Sequence, residues 1–272
     1  MTQVSGFQIV GNAPDYYERH TSIIMAPFVE AVIAGAGIRS GDSVLDVACG
    51  TGLATRRAAE IVGASGRVAG LDLNPGMLAK ARSIEMPAPG RIVWHEGNAL
   101  ELPFADREFR AVICQQGVEF FPDLPRAARE MVRVLVPGGR VAVSFWAPLD
   151  DQTFMRAQVE GLRTFIGDAV ASIAVAFDLA PATAVRAFES AGLDDVVVEK
   201  VVRRVSLPPL EEFAIEQIAA LPVGPAFGAL PLERREAFLE EMKRALAPHR
   251  TAAGGYDCLF ASWVVTGSRR SR

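Results

Sequence analysis

The chain has 272 residues, of which half are hydrophobic and 22% are charged. This length suits one large domain or a core domain with a small cap, and the composition excludes a disordered chain, a fibrous repeat and a disulfide-stapled miniprotein. Lys plus Arg number 28 and Asp plus Glu number 32, so the formal net charge is −4. This acidic balance argues against a surface that binds nucleic acid or an anionic membrane.

The cysteines and histidines are few and scattered. No C-x-x-C pair and no zinc-ligand spacing connects them, so the sequence predicts buried thiols, a reducing compartment and no bound metal. The longest apolar run, residues 169–177, is far shorter than the roughly 20 residues that a membrane span needs. We therefore expect a soluble, cytoplasmic protein without a membrane span. The three cysteines are Cys49, Cys114 and Cys258, and the three histidines are His20, His95 and His249.

The first predicted elements are two helices within residues 14–37, where Ile24, Phe28 and Val32 recur at helical spacing and Pro27 marks a kink or a boundary. Strands and helices then alternate, which is typical of βαβ units and of a parallel sheet covered on both faces. The predicted strands are 43–48, 67–73, 91–95, 109–115 and 140–146, and the predicted helices are 53–62, 74–84 and 125–135.

After Pro148 the alternation ends. Since a hairpin needs only about 2–5 loop residues, the long gap between the last two strands predicts an inserted helical cap at residues 207–253. The fold class is therefore α/β, a doubly wound and mostly parallel seven-stranded sheet, with an N-terminal helical lid at 1–40 and the main domain at 41–206 and 254–272. The remaining predicted elements are helices at 154–177, 183–191, 210–220 and 232–246, and strands at 196–205 and 259–266.

The clearest local motif is a glycine turn after the first predicted strand, Val44-Leu45-Asp46-Val47-Ala48-Cys49-Gly50-Thr51-Gly52. Glycine permits a tight turn and a close approach of the backbone to a ligand, and open parallel sheets bind ligands at the carboxyl ends of their strands. The motif differs from a dinucleotide-binding G-x-G-x-x-G because Thr55 replaces the third glycine, and no P-loop sequence is present. Asp46 would repel a pyrophosphate and attract an ammonium group.

A second acid follows the next predicted strand. Asp72 lies 22 residues after Gly50, near the spacing of about 20 expected for an acid that binds a ribose. By itself, such an aspartate is more often a helix cap or a turn former, and two spaced glycines are weak evidence. In this order and on these elements, the two features predict a site for a nucleoside with a cationic group.

With three further segments, the chain resembles the class I S-adenosylmethionine-dependent methyltransferases, in particular the small-molecule branch that includes the ubiquinone-biosynthesis C-methyltransferases. The resemblance covers residues 43–146. It implies a Rossmann-like methyltransferase fold, S-adenosylmethionine as cofactor, S-adenosylhomocysteine as product and no metal. The further segments are Gly70-Leu71-Asp72-Leu73-Asn74-Pro75-Gly76-Met77-Leu78, Glu96-Gly97-Asn98-Ala99-Leu100-Glu101-Leu102-Pro103-Phe104 and Arg133-Val134-Leu135-Val136-Pro137-Gly138-Gly139.

The resemblance also implies roles for individual residues. Asp46 would lie near the ammonium group of the cofactor and Asp72 would bind its ribose, while Gln115 would line the path of the methyl group. The other residues implied to bind the cofactor are Tyr17 (or Tyr16) at its carboxylate, Ala48, Gly50, Thr51 and Gly52 at its methionine part, and Leu73, Met77, Asn98 and Ala99 at the adenine.

Two positions depart from the pattern of the family. Asn98 stands where the family often has aspartate, and an amide oxygen can still accept a hydrogen bond from the adenine amino group. Arg110 also replaces a frequent aspartate, and we expect it at the surface where the fourth strand begins.

Methyl transfer from a sulfonium is an in-line displacement that chiefly needs alignment and exclusion of water, so no strict catalytic motif is expected. A hydroxyl or an acidic carbon as acceptor would be helped by a general base. Glu119, after the fourth strand, is the first candidate; the alternative is a solvated or helix-capping glutamate. His20, in the lid, is the second; the alternative is a partly buried, non-catalytic histidine.

The kind of acceptor is indicated by the absence of one motif and by the apolar helices. No Asn/Asp-Pro-Pro-Tyr sequence follows the fourth strand, which argues, with the acidic charge, against an adenine-N6 methyltransferase of nucleic acids. We expect O- or C-methylation of a small lipophilic acceptor such as a quinone, polyketide, terpenoid or lipid precursor, by a monomer or homodimer. An oily pocket is predicted from eight residues, which alternatively pack the cap on the sheet or form a dimer seam: Phe154, Leu162, Phe165, Phe177, Phe213, Ile218, Phe227 and Phe238.

Three other functions stay open at this point. The same fold and cofactor pocket can serve non-methylating chemistry, such as a cyclase of secondary metabolism. The βαβ pattern alone also allows a nicotinamide-dependent oxidoreductase, against which Thr55 and Asp46 count. The third alternative is a non-catalytic binding module whose surface is the inserted cap.

Overall fold

A computed structural model describes residues 11–85, 91–167 and 178–270. Its seven strands are β1 Ser43–Val47, β2 Arg67–Asp72, β3 Arg91–Glu96, β4 Phe109–Gln115, β5 Leu135–Trp146, β6 Leu193–Leu207 and β7 Tyr256–Arg269. They form one sheet in the order β3-β2-β1-β4-β5-β7-β6. Neighbours pair in parallel, except that β7 is antiparallel to both β5 and β6. The predicted mostly parallel, seven-stranded sheet is confirmed.

Helices cover both faces of this sheet. The helices α2 and α3 pack on one face around Val44 and Ala58, and α5 and α7 pack on the other around Phe109 and Phe188. The arrangement is the doubly wound one that the sequence predicts. The helices are α1 Ala13–Tyr16, α2 Ser22–Ala36, α3 Leu53–Val62, α4 Pro75–Ser83, α5 Leu124–Val134, α6 Thr153–Ile166, α7 Pro181–Ser190, α8 Leu210–Ala219, α9 Gly224–Gly228 and α10 Leu232–Leu246.

The two predicted N-terminal helices are present, and of the two alternatives for Pro27, a kink or a boundary, the boundary is wrong. Pro27 lies inside α2, and the irregular part of this region is a π-helical segment, Tyr17–Thr21, between α1 and α2. An interior proline costs a helix about 3 kcal/mol. Burial offsets this loss, because Ile24 and Phe28 are completely buried, and each such side chain contributes about 1.5–3 kcal/mol.

Three other predicted boundaries of helices and strands differ from those in the structure. The helix predicted at 125–135 ends at Val134, and Leu135 already pairs with Phe109 in the sheet. The helix predicted at 154–177 is described to Ile166, and residues 168–177, including Phe177, lie outside the described residues. The late strands are longer than predicted because β6 and β7 pair with each other along most of their length.

The segment between β6 and β7 holds the predicted helices, here α8 and α10. A short helix, α9, lies between them, where the sequence analysis assigned no helix. Its length of five residues explains why periodicity did not reveal it. In the described part of the chain, no helix combines the length and the apolar character needed to cross a membrane. The division into lid, main domain and cap stays a prediction.

The aromatic residues predicted to line an oily pocket form a hydrophobic core instead. The ring centroids of Phe154 and Phe213 lie 5.4 Å apart, and those of Phe227 and Phe238 lie 5.0 Å apart, in edge-on pairs. These residues join α6 and the cap helices to the outer strands of the sheet. The alternative interpretation, packing of the cap on the sheet, is therefore the one that the structure supports for the described residues.

Candidate cofactor and acceptor site

A cavity of about 570 Å³ opens at the carboxyl ends of β1, β2 and β4. Its volume lies within the range of about 300–1,000 Å³ that is usual for small-molecule sites. The lid closes one side, and α6 and the cap close another. Of the residues predicted to bind the cofactor, those that line the cavity are Tyr17, Asp46, Ala48, Gly50, Thr51, Asp72, Leu73, Met77, Asn98, Ala99 and Gln115.

The glycine turn has a left-handed backbone at three positions, with φ angles of 56° at Ala48, 55° at Gly50 and 88° at Gly52. A Cβ atom added to Gly50 would meet no atom within 4 Å, so this glycine borders open space in the cavity wall. A Cβ atom on Gly52 would lie 2.3 Å from the indole of Trp94. Gly52 is not among the residues that line the cavity, and its predicted contact with the cofactor stays a prediction.

Asp72 joins the glycine turn to the start of α4. Its Oδ2 accepts a hydrogen bond from the Gly50 N–H at 2.7 Å, and its Oδ1 accepts one from the Asn74 N–H at 2.8 Å. Burial raises the pKa of this carboxyl, and the backbone donors partly oppose the shift. Each oxygen can accept a second hydrogen bond, so the turn-forming and the ligand-binding interpretations of Asp72 are compatible.

Asp46 is buried in the wall beneath the glycine turn. The Thr55 hydroxyl donates a hydrogen bond to Asp46 Oδ2 at 2.5 Å. Burial raises the Asp46 pKa to about 7, and the bond from Thr55 partly opposes this rise. Thr55, which replaces the third glycine of a dinucleotide-binding motif, therefore orients the Asp46 carboxyl beside the glycine turn. A cation bound next to Asp46 would favour its charged form.

Where β2 ends and α4 begins, the wall of the cavity has apolar side chains against which a flat ring could pack. Leu73 is 37% exposed, whereas Met77 is buried. Asn74 begins α4, where its Oδ1 accepts hydrogen bonds from the N–H groups of Gly76 and Met77, so the helix start is fixed as predicted. Asn98 is exposed at the rim, and its Oδ1 accepts the Leu100 N–H at 2.9 Å.

Tyr17 and Gln115 connect the lid to the site. Tyr17 lines the cavity, and burial, followed by the nearby charges of Asp72 and Glu119, raises the pKa of its phenol far above the usual value. The side chain therefore presents a neutral hydroxyl at neutral pH. The Gln115 Nε2 donates to the Met25 carbonyl at 2.8 Å, so the end of β4 is tied to α2.

The two predicted catalytic residues lie near the cavity but do not line it. The His20 Nε2 lies 2.5 Å from Glu216 Oε2 on α8, and its ring packs edge-on against Phe213. This contact ties the lid to the cap and matches the non-catalytic interpretation. Glu119 has both oxygens buried without a hydrogen-bond partner of ordinary geometry among the described residues. The catalytic roles remain predictions.

Burial raises the pKa of Glu119 to about 8 from a usual value of 4.5, with backbone N–H groups of Glu119 and Trp146 opposing the shift. Between these two values the folded protein binds more protons than the unfolded chain. The free energy of unfolding therefore falls as the pH rises through this interval. The carboxyl contributes its stability below pH 4.5 and loses it as the pH passes about 8.

We expect Glu119→Gln to remove this dependence, because the amide stays neutral. Relative to the wild type, the variant should gain about 1–3 kcal/mol in unfolding free energy between pH 5 and pH 8.5. Urea unfolding at both pH values measures the gain. Glu236→Gln, at an exposed site on α10, is the matched control and should follow the wild type. An equal pH dependence in Glu119→Gln and wild type would contradict the burial argument.

The acceptor side of the cavity contains residues that the sequence did not single out. They come from the N-terminal helices, from the ends of β4 and β5, from α6 and from the cap, so nothing in the sequence connects them. Gln116, which follows the predicted Gln115, is the one that a local signal could have revealed. The residues on this side include Thr21, Met25, Gln116, Trp146, Met155, Gln158, Val159, Gln217, Leu221 and Pro222.

Within the described ranges, no group of three or more His, Cys, Asp or Glu side chains is placed to hold a metal ion. The three cysteines are free and buried, as predicted. Burial raises the pKa of the Cys49 and Cys114 thiols well above the usual value. Arg110 is exposed near the start of β4, also as predicted, and its guanidinium bonds the Gly138 carbonyl.

Comparison with known proteins shows which proteins this region of the chain is similar to. The family model for a methyltransferase domain matches residues 44–139. A 2-phytyl-1,4-naphtoquinone methyltransferase of Thermosynechococcus vestitus is 46% identical over 103 residues, which is 38% of this chain and 45% of the relative. The Nostoc sp. protein of the same description is 35% identical over 131 residues, which is 47% of this chain and 57% of the relative.

The fold is similar to that of solved structures. The crystal structure of the YcgJ protein of Bacillus subtilis matches with a TM-score of 0.57 and 18% identity, over 89% of this chain and 97% of that one. This similarity concerns the fold alone. The region from β1 to the start of β5 is therefore similar in sequence to methyltransferase domains. The chain spans about half the length of the curated relatives that it matches.

Proposed function

We propose that this protein transfers a methyl group from S-adenosylmethionine to a small, hydrophobic and uncharged acceptor. The observation that carries the proposal is the cavity itself, in which the glycine turn, the buried Asp46 and the partly buried Asp72 face an apolar chamber beneath the lid and cap. The relatives named as naphthoquinone methyltransferases act on an acceptor of the same chemical class. O- or C-methylation is favoured.

The residues present fit the cofactor on three grounds. Gly50 leaves space for a ligand against the backbone. Asp46 offers a carboxylate to an ammonium group, and Asp72 offers the remaining lone pairs of its oxygens to the ribose hydroxyls. The apolar side chains of Leu73 and Met77 lie where an adenine ring would pack.

Bound S-adenosylmethionine supplies an activated methyl group on a sulfonium. The chain contributes alignment, because the end of β4 is fixed to α2 by the bond between Gln115 and Met25. It also excludes water, because the lid and cap close over the cavity and His20 joins them through Glu216. We propose Tyr17 as a contact of the cofactor carboxylate. Such positioning supplies much of the acceleration in a displacement of this kind.

Calorimetric titration with S-adenosylmethionine and S-adenosylhomocysteine tests the cofactor assignment. Saturable binding of both is expected, with NADH as the control ligand that should not bind. Transfer of a labelled methyl group to hydroxylated quinones and phenols then tests the reaction. Failure to bind either cofactor form refutes the proposal. Cofactor binding without transfer to any acceptor would favour non-methylating chemistry in the same pocket.

A further inference from the structure

Three buried glutamines line the acceptor side of the cavity. Gln116 is 6% exposed, Gln158 is 2% exposed and Gln217 is 3% exposed. They come from the end of β4, from α6 and from α8. Buried amides normally have their hydrogen bonds satisfied, so the partners of each group indicate what the cavity offers to a ligand.

The amide of Gln116 has a defined orientation. The Ser262 hydroxyl donates to the Phe145 carbonyl at 2.9 Å, so its oxygen accepts the hydrogen bond from Gln116 Nε2 at 2.5 Å. The carbonyl oxygen of Gln116 is then left buried and without a partner among the described residues. The backbone of Gln116 has a φ angle of 52°. A strained backbone and an unpaired buried acceptor in one residue are features that functional sites retain.

Gln158 and Gln217 form a pair in which Gln158 Nε2 donates to Gln217 Oε1 at 2.5 Å. Whichever way the two amides are assigned, one carbonyl and one NH₂ group of the pair remain. Neither remaining group makes a hydrogen bond within the described residues, and both residues line the cavity. The pair therefore presents one acceptor and one donor to a ligand.

The charges around the cavity disfavour an anionic ligand. Among the described lining residues, Arg126 is the single cation, and it lies at the adenine end. There its Nε donates to the Leu100 carbonyl at 2.8 Å and its guanidinium lies 3.9 Å from Glu101. An anion on the acceptor side would meet the glutamines without a counter-ion, and desolvating an unpaired charge is unfavourable.

We infer that Gln116 and the Gln158–Gln217 pair form the recognition site for the methyl acceptor. The site selects an uncharged molecule with an apolar frame, an O–H or N–H donor for Gln116 Oε1, and a carbonyl for the NH₂ group of the glutamine pair. Met155 and Val159 supply apolar contacts to the frame. This inference rests on the proposed function and specifies its substrate class.

The test uses ring compounds that differ in one group. Protein saturated with S-adenosylhomocysteine is titrated calorimetrically with 6-hydroxy-1-tetralone, 6-amino-1-tetralone, 1-tetralone, its 6-carboxylate, and 5,6,7,8-tetrahydro-2-naphthol. We expect the hydroxyl or the amine to improve binding about tenfold over 1-tetralone, since one hydrogen bond to a buried acceptor is worth about this factor. The hydroxyl and amine probes distinguish the two donor types. The phenol without a carbonyl should bind about tenfold more weakly than 6-hydroxy-1-tetralone, and the carboxylate should bind weakest.

Three variants connect the preference to the glutamines. Gln116→Leu should reduce the advantage of the hydroxyl to near unity and leave S-adenosylhomocysteine binding unchanged. The volume-conserving pair Q158M/Q217M should remove the advantage of the carbonyl. The control is Gln152→Met, because Gln152 is buried away from the cavity with its amide bonded to Ala147 and Ala261. It should lower stability without altering the ratios.

The outcomes separate the two proposals. If S-adenosylhomocysteine does not bind, the proposed function fails, and the probes are titrated against the protein alone, where the same preference decides the recognition site. Equal binding of the hydroxylated and plain ketones, tighter binding of the carboxylate, or no binding of any probe overturns the inference. So does a change of ratio in Gln152→Met as large as that in Gln116→Leu.

Discussion

Replacing Asp72 with alanine is expected to weaken S-adenosylhomocysteine binding at least about 100-fold. A hydrogen bond to a charged group contributes about 1.5–3 kcal/mol, and the carboxylate is placed to accept two of them from a ribose. The substitution also removes the acceptor that fixes the Gly50 N–H at 2.7 Å. Loss of ligand contacts and loss of turn geometry therefore act in the same direction.

Asp42→Ala is the matched control, since Asp42 Oδ2 also accepts a backbone hydrogen bond, from Arg39 at 2.8 Å, but at a turn before β1. It should bind S-adenosylhomocysteine like the wild type. Calorimetry measures both affinities, and Asp72→Asn adds a test of charge with nearly unchanged shape. Undiminished affinity in Asp72→Ala would mean that the acid only forms the turn, as the simpler interpretation of the sequence allowed.

The central sheet, and the meeting of residues from the ends of β1 and β2 at one cavity, could be predicted because their signals are local. Strand, glycine turn and helix follow one another within residues 43–62, and Asp72 and Asn74 stand at the next strand end. Each signal is a short pattern whose structural consequence is fixed by backbone geometry. The packing of Gly52 was not predicted, because a Cβ atom built there would lie 2.3 Å from the ring of Trp94, which belongs to a strand about 40 residues further along the chain.

The acceptor side could not be predicted in this way, because it depends on tertiary packing. Gln158 and Gln217 are 59 residues apart in the chain and meet only when the cap folds over α6. The aromatic side chains were predicted to line an apolar pocket, but they form a hydrophobic core in which the cap packs on the sheet. An apolar composition does not distinguish the lining of a cavity from the core behind it.

The π-helical segment was missed for a related reason. Tyr17–Thr21 carries no sequence signal for an extra residue in the helical turn. Its conformation places Tyr17 in the cavity wall while His20 reaches Glu216 on the cap. The π-helical segment therefore lies where the lid meets both the cavity and the cap. Single-turn π segments are frequent at functional sites.

The glycine turn itself gives the last expected result. Gly52→Ala should lower the unfolding free energy by about 3 kcal/mol, since a left-handed alanine costs about 1–2 kcal/mol and overpacking adds about 1–3 kcal/mol. The added methyl group would lie 2.3 Å from Trp94, whose ring is also 2.6 Å from a Cβ atom built on Gly70. The indole is therefore confined between two glycines and cannot move aside without losing its packing.

Gly37→Ala separates the two contributions, because Gly37 also has a left-handed backbone, with φ 62° and ψ 36°, but its Cβ atom would make only an ordinary contact, 3.4 Å from Arg140 Cδ. It should lose only the backbone part, about 1–2 kcal/mol. Urea unfolding of both variants measures the difference. If the two variants lose the same unfolding free energy, the loss at Gly52 comes from the backbone conformation alone and the Trp94 ring moves aside. If Gly52→Ala loses more, the close approach of backbone and indole is what requires glycine at this position.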